Sequence, residues 1–132
     1  MRLSLRYIWF LPAVIEMVAI WTFSAMPEPP APAGWLDSDK LLHMLAYGVL
    51  AGFFFLGFYQ GMRIKAERSA LWCTVCSAGF GLLDEIHQGS TPGRHQELGD
   101  IFANTVGAVL AGGIILFVLR SYKPNIRSEV NQ

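Results

Sequence analysis

The chain has 132 residues, 53% hydrophobic and 15% charged, with ten basic and ten acidic side chains and a formal net charge of zero. Soluble domains carry about a quarter charged residues, so this composition excludes an ordinary water-facing surface, and without a basic excess nucleic-acid binding has no support. Its two cysteines, in Cys73-Thr74-Val75-Cys76, have redox-motif spacing but no second pair; inside an apolar run they read as small packing residues rather than a disulfide framework.

Four stretches of about twenty apolar residues fill most of the chain: Tyr7 to Ala25, Leu41 to Gln60, Ser69 to Gln88 and Ile101 to Leu119. Each matches the ~20 helical residues that cross a ~30 Å hydrocarbon core. Arg2 and Arg6 before the first run would also suit a secretory signal. That run is about nineteen residues long and closes in a proline-rich stretch without a clear small-residue cleavage site, so it is read as a retained helix. Glu16, near its middle, is the one acid far from either end, expected to be hydrogen-bonded to a neighbour such as Ser77 or to relay toward a pocket.

The segment after the first run, from Met26 to Trp35, holds four of the seven prolines and is expected to run extended, with Trp35 at the membrane interface. Asp37-Ser38-Asp39 then supplies N-cap candidates for the second helix. Within that helix Asp39, His43 and Tyr47 recur every fourth residue, with Lys40 beside them, which places them on one face. The third run ends Asp84-Glu85-Ile86-His87-Gln88, where Asp84 and Gln88 share a face. The fourth begins with Glu97, Asp100 and Asn104 at helical steps and carries Gly107, Ala108 and Ala111 along the same stripe.

The basic residues sort by side. Arg2, Arg6, Arg63, Lys65, Arg68, Arg120, Lys123 and Arg127 would lie on one side of a four-span protein, and only Lys40 and Arg94 on the other. The positive-inside bias then predicts both termini in the cytoplasm. The expectation is an all-α membrane protein, a four-transmembrane-helix bundle forming one domain over residues 1–132, in a bacterial cytoplasmic (inner) membrane as a multi-pass protein. Under this topology the three polar sets lie at the outer ends of their helices. A central Asp or Lys costs ~2.5–3.5 kcal/mol on the insertion scale, so these groups should face one another or water. Terminal acids alone would serve as caps. That account does not reach His43, Tyr47 and Asn104 inside apolar runs, nor the paired Asp84-Glu85. One outward-opening polar pocket of Lys40, His43, Tyr47, Asp84, Glu85, Gln88, Arg94, Asp100 and Asn104 is therefore expected, with Arg94 paired to Asp84, Glu85 or Asp100.

The order Asp39-Lys40-x-x-His43-x-x-x-Tyr47, Asp84-Glu85-x-x-Gln88, Thr91-Pro92-Gly93-Arg94 and Asp100-x-x-x-Asn104-x-x-Gly107, preceded by Ser24-x-x-Pro27, resembles the VanZ-like family of small bacterial membrane proteins over about residues 20 to 115. The chain departs from that pattern in His95-Gln96-Glu97-Leu98-Gly99, where a small hydroxyl residue is expected before the Asp. The resemblance implies the four-span fold and an association with resistance to the glycopeptide teicoplanin. It implies no particular reaction.

Three chemistries suit the pocket. The first is binding of an anionic lipid-linked or cell-wall precursor group by Lys40 and Arg94, the guanidinium offering a bidentate fork. The second is a membrane-embedded enzyme using Asp84, Glu85 and His43 as acid and base on a lipid-linked substrate. No GxSxG or helical HExxH accompanies them. The third is a metal held by His43, His87, Asp84 or Asp100. His87 also fits as an interfacial side chain and His95 as a solvated one, so binding is preferred over catalysis, and no metal or cofactor is expected. Membrane lipids are the expected partners. The stripes Gly48-x-x-x-Gly52 and Ala103-x-x-x-Gly107-x-x-x-Ala111 permit close helix approach within the bundle, and equally suit a homo-oligomer.

Overall fold

The computed structural model describes residues 5–27 and 36–129. Among them every regular element is helical. A 3₁₀ turn, Tyr7–Phe10, leads into α1 (Leu11–Ser24); α2 (Leu36–Leu56) closes in a π-helical segment, Gly57–Gly61; α3 spans Ala66–Gln88 and α4 spans Leu98–Glu129. Pro12 in the first turn of α1 is well placed, because its fixed φ suits a helix start and its missing N–H would have no intrahelical acceptor there. The stretch expected to run extended, with Glu28 and Trp35 in it, lies from residue 28 to 35 outside the described residues, as do the side chains of the expected caps Asp37 and Ser38 and of Lys123 and Arg127.

Three segments are long and apolar enough to cross a membrane: Tyr7–Ser24, Asp39–Gly61 and Leu98–Tyr122. The third expected span, α3, has 23 residues but falls short on average hydropathy. The reason is the way its polar residues are distributed. Ser69, Ser77, Asp84, Glu85 and Gln88 are buried, while Leu71, Trp72, Val75, Leu82, Leu83 and Ile86 are exposed. A helix whose polar face is turned inward averages to a modest hydropathy although the face it shows its surroundings is apolar.

The whole molecule follows that inverted pattern. Among the described residues, large apolar side chains such as Val14, Ile15, Leu45, Val49, Leu110, Ile114 and Phe117 are exposed, and eight polar or charged residues are buried. Burial of charge beneath an apolar exterior would be costly in water. It is the arrangement of an all-α membrane protein.

Helix α2 packs most extensively on α4, α3 packs against both, and α1 lies at the periphery across α2 and α3. The apolar core divides into Ala13, Tyr47, Leu50 and Phe80 toward α1, and Ala51, Phe55, Cys73 and Ala108 toward α4. Cys73 is thus a packing residue, as its setting in the sequence suggested, and both thiols are free. The α2–α4 seam is set by glycine. A Cβ on Gly107 would collide with the Met44 backbone, its Cα at 3.0 Å and its carbonyl closer still, and a Cβ on Gly48 would lie 3.3 Å from the Gly107 carbonyl oxygen. Gly52, in the same small-residue stripe of α2, has nothing within 4 Å of such an atom.

That contrast separates contact from composition. Gly107→Ala should destabilise the protein by roughly 1–3 kcal/mol through overpacking against backbone that cannot yield, whereas Gly52→Ala should be neutral or up to about 1 kcal/mol stabilising through helix propensity. Thermal unfolding in detergent would show the difference, and equal effects from the two changes would refute the seam.

Candidate functional site

The site begins at the end of α3, where Asp84 and Gln88 stand one turn apart on the buried face. Asp84 Oδ2 accepts three hydrogen bonds: from Ser24 Oγ at 2.7 Å, Tyr47 Oη at 3.0 Å and Gln88 Nε2 at 3.1 Å. Gln88 Nε2 also donates to Ser24 Oγ at 3.1 Å. One carboxylate oxygen therefore joins α1, α2 and α3, and every residue of the knot is at least 95% buried. The other oxygen, Oδ1, is buried without a hydrogen-bond partner. Below the knot, Ser77 Oγ donates to the Tyr47 carbonyl at 2.8 Å, so the hydroxyl expected to serve Glu16 instead satisfies α2.

A second polar group lies between α2 and α4. His43 Nδ1 meets Asn104 Oδ1 at 3.0 Å, and its Nε2 stands 3.9 Å from Asp39 Oδ1 and 4.0 Å from Asp100 Oδ2. Lys40 Nζ is 3.0 Å from Glu97 Oε2 and 3.5 Å from Asp100 Oδ1. Glu85 accepts the Glu97 backbone N–H on Oε1 at 2.6 Å and so pins the start of α4. Its Oε2 has no hydrogen-bond partner. Here the caution about acids as caps holds for Glu85, even though it lies inside a helix.

Arg94 differs from the expectation. Thr91-Pro92-Gly93-Arg94 forms a type II turn, with Gly93 at φ 85° and the Arg94 N–H bonded to the Thr91 carbonyl at 3.1 Å. Pro supplies the φ of the second position and Gly the positive φ of the third. This turn delivers the side chain to α1, where Nε donates to the Met26 carbonyl at 2.9 Å and Nη2 to the Phe23 carbonyl at 3.5 Å. Among the described residues Arg94 forms no ion pair, with Asp84, Glu85, Asp100 or any other acid. The physical reason is that the last carbonyls of α1 have no intrahelical donors and attract a cation to the negative end of the helix.

The nine expected residues thus form two adjoining groups rather than one. His43, Tyr47, Asp84, Gln88 and Arg94 line an open groove of about 330 Å³ between α1, α2 and α3, whose other wall includes Ala19, Ile20, Phe23, Leu42 and Ala46. Lys40, Glu85, Asp100 and Asn104 stand outside that lining, and His43 is the residue that joins the groups. Glu16 also lines the groove, although its depth in the sequence argued against contact with the outer cluster. Ser24 was visible in the Ser-x-x-Pro close of the first span, but nothing in its spacing identified its partner sixty residues away. His87 is stacked on Trp21, ring centroids 3.9 Å apart, and shares no ligand cluster with Asp84. A larger concavity of about 610 Å³ lies around Arg63, Lys65 and Arg120 in the basic connector and the far end of α4, away from all nine residues.

A family model described as VanZ/LLP1 matches residues 4–120 of the chain. No curated protein and no solved structure matches it.

The knot makes a stability prediction. Asp84→Ala would leave three buried donors without their acceptor and should cost about 3 kcal/mol, within the range for removing one member of a buried polar network. Asp84→Asn can keep its amide oxygen at the Oδ2 position and should lose less than half as much. Thermal melts of purified protein would test the ranking, and equal stability of the Ala variant and the parent would show that the knot contributes nothing.

Proposed function

The chain belongs to the VanZ/LLP1 family, and we propose that it is a four-span protein of a bacterial cytoplasmic membrane whose outward groove binds the anionic head of a lipid-linked cell-envelope molecule. The topology rests on the eight-to-two segregation of basic residues. A reporter fused after Gln132 should be active only in the cytoplasm and one inserted between Ala31 and Gly34 only outside. The reverse result would invert the orientation.

The observation that carries the binding reading is the composition of the groove. One wall is apolar, and the other includes Asp84 and an Arg94 guanidinium of which, among the described residues, only Nε and Nη2 are engaged. An amphiphile would lay its chain on Ala19, Ile20, Phe23, Leu42 and Ala46 while an anionic oxygen meets the remaining edge of Arg94. Lys40 takes no part, because Glu97 and Asp100 already hold it. With Glu16, Asp39 and Asp84 around it, the groove suits a head of low net charge that carries donors as well as an anion.

Such a pocket would sequester or present an envelope precursor, and through it the protein would influence susceptibility to teicoplanin. A second reading, acid–base catalysis on the same head, is favoured by Asp84 and His43 both lining the groove. Glu85 drops out of that pair because it pins α4.

Substitution separates the readings. Lipid extracted from purified protein should be enriched in one anionic amphiphile for the parent chain and reduced about tenfold or more in Arg94→Lys, since an ammonium cannot reproduce the planar fork. Asp84→Asn should retain most of the bound lipid and part of any resistance in strains with matched expression. Complete loss of resistance in Asp84→Asn with lipid still bound would favour catalysis. Unchanged lipid in Arg94→Ala would refute both.

A further inference from the structure

The group between α2 and α4, two of whose members, Asp39 and His43, also line the groove, carries an imbalance of charge. Asp39, Glu85, Glu97 and Asp100 converge there against one cation, Lys40. Asp100 is 4% exposed, and its Oδ1 finds no hydrogen-bond partner. Lys40 approaches that oxygen at 3.5 Å, while Oδ2 is turned toward His43. His43 in turn gives Nδ1 to Asn104 Oδ1 at 3.0 Å. In the tautomer that donates from Nδ1, Nε2 turns a lone pair toward two carboxylates, 3.9 and 4.0 Å away. That arrangement suits a cation between the three.

We propose that Asp39, His43 and Asp100 bind a divalent cation, with zinc the preferred ion. Their donor atoms all lie within 4.8 Å of one another. A tetrahedral zinc with ~2.0–2.1 Å bonds sets its donors roughly 3.3 Å apart, so each carboxylate must approach His43 by about 0.6–0.7 Å from its present 3.9 or 4.0 Å, and the two carboxylates must approach each other by up to about 1.5 Å. Asp39 is half exposed and on the same helical face as His43, one turn away, so rotamer adjustment supplies that movement. The donor set is one imidazole and two carboxylates, which leaves a fourth position for water or for an anionic group. Asn104 plays the part that a carbonyl acceptor plays behind many metal-bound histidines, fixing the tautomer and the ring plane. Lys40 keeps its contact with Asp100 Oδ1, because the ion sits on Oδ2. The nitrogen donor favours zinc over magnesium, which takes oxygen ligands and keeps its own waters. Because His43 also lines the groove, the ion would lie at its edge, though the inference does not depend on what the groove holds.

Full-length protein purified in detergent, stripped with chelator, supplied with ZnCl₂ and desalted should retain one zinc per chain, and its melting temperature should rise with Zn²⁺ and not with Mg²⁺. Asp39→Asn, at a half-exposed position with no side-chain hydrogen bond among the described residues, should fold as the parent does and bind zinc at least about tenfold more weakly, the size of effect that even outer partners of a metal site produce. His43→Gln should abolish the thermal shift. A parent protein that desalts free of zinc would overturn the site and leave a proton between His43 and the carboxylates. Zinc retention equal to the parent's in both Asp39→Asn and His43→Gln would place the metal on other groups and overturn it as well. Loss of bound lipid in the Arg94 variants would leave this result untouched, so the two readings fail separately.

Discussion

The structure depends on one buried carboxylate oxygen. Asp84 Oδ2 sits near the end of α3 under an apolar exterior and accepts from Ser24, Tyr47 and Gln88. An acid placed there without donors would be costly, and each donor placed there without the acid would be costly too. Helices α1, α2 and α3 can therefore meet in one register, and the peripheral α1, which buries little apolar surface, acquires a specific attachment. Arg94 supplies a second tie between the α3–α4 loop and the carbonyls that end α1.

Packing in a lipid-facing bundle gains little from hydrophobic exclusion, because the surroundings are as apolar as the side chains. Close backbone approach and internal polar contacts must do more. Gly107 against Met44 provides the first at the α2–α4 seam, and the Asp84 knot provides the second. Buried polar residues are concentrated on α3, which like α2 packs against each of the other helices, so its inward face is where a polar residue can find partners on two sides.

The division of the polar residues into a groove group and an α2–α4 group follows from the same geometry. Asp84 and Glu85 are consecutive, and consecutive helical positions are about 100° apart. Asp84 consequently faces α1 and α2, while Glu85 faces the start of α4. His43 can touch both groups because α2 lies between α1 and α4. Acids that read as one crowd along the chain thereby acquire separate tasks: acceptor for a helix knot, anchor for a helix start, and ion-pair partner of Lys40.

Much of this was already determined by the sequence. Helix length, apolar content and the spacing of Asp39, His43 and Tyr47 are local properties, and so were the helical class, the approximate ends of the elements and the shared face of each polar set. Even so, α4 starts at Leu98 and continues to Glu129, beyond the expected Ile101 and Leu119, because a helix does not stop where its apolar run stops. Hydropathy averaged along the chain also could not tell that Ser69, Ser77, Asp84, Glu85 and Gln88 of α3 turn inward. Only the tertiary structure decided the partners. Ser24 meets an acid sixty residues away, Glu16 reaches the groove, and Arg94 chooses carbonyls over carboxylates, since a contact across helices depends on their rotation and depth relative to one another. Those are set by the seam at Gly107 and the knot at Asp84, and no spacing within one helix records them.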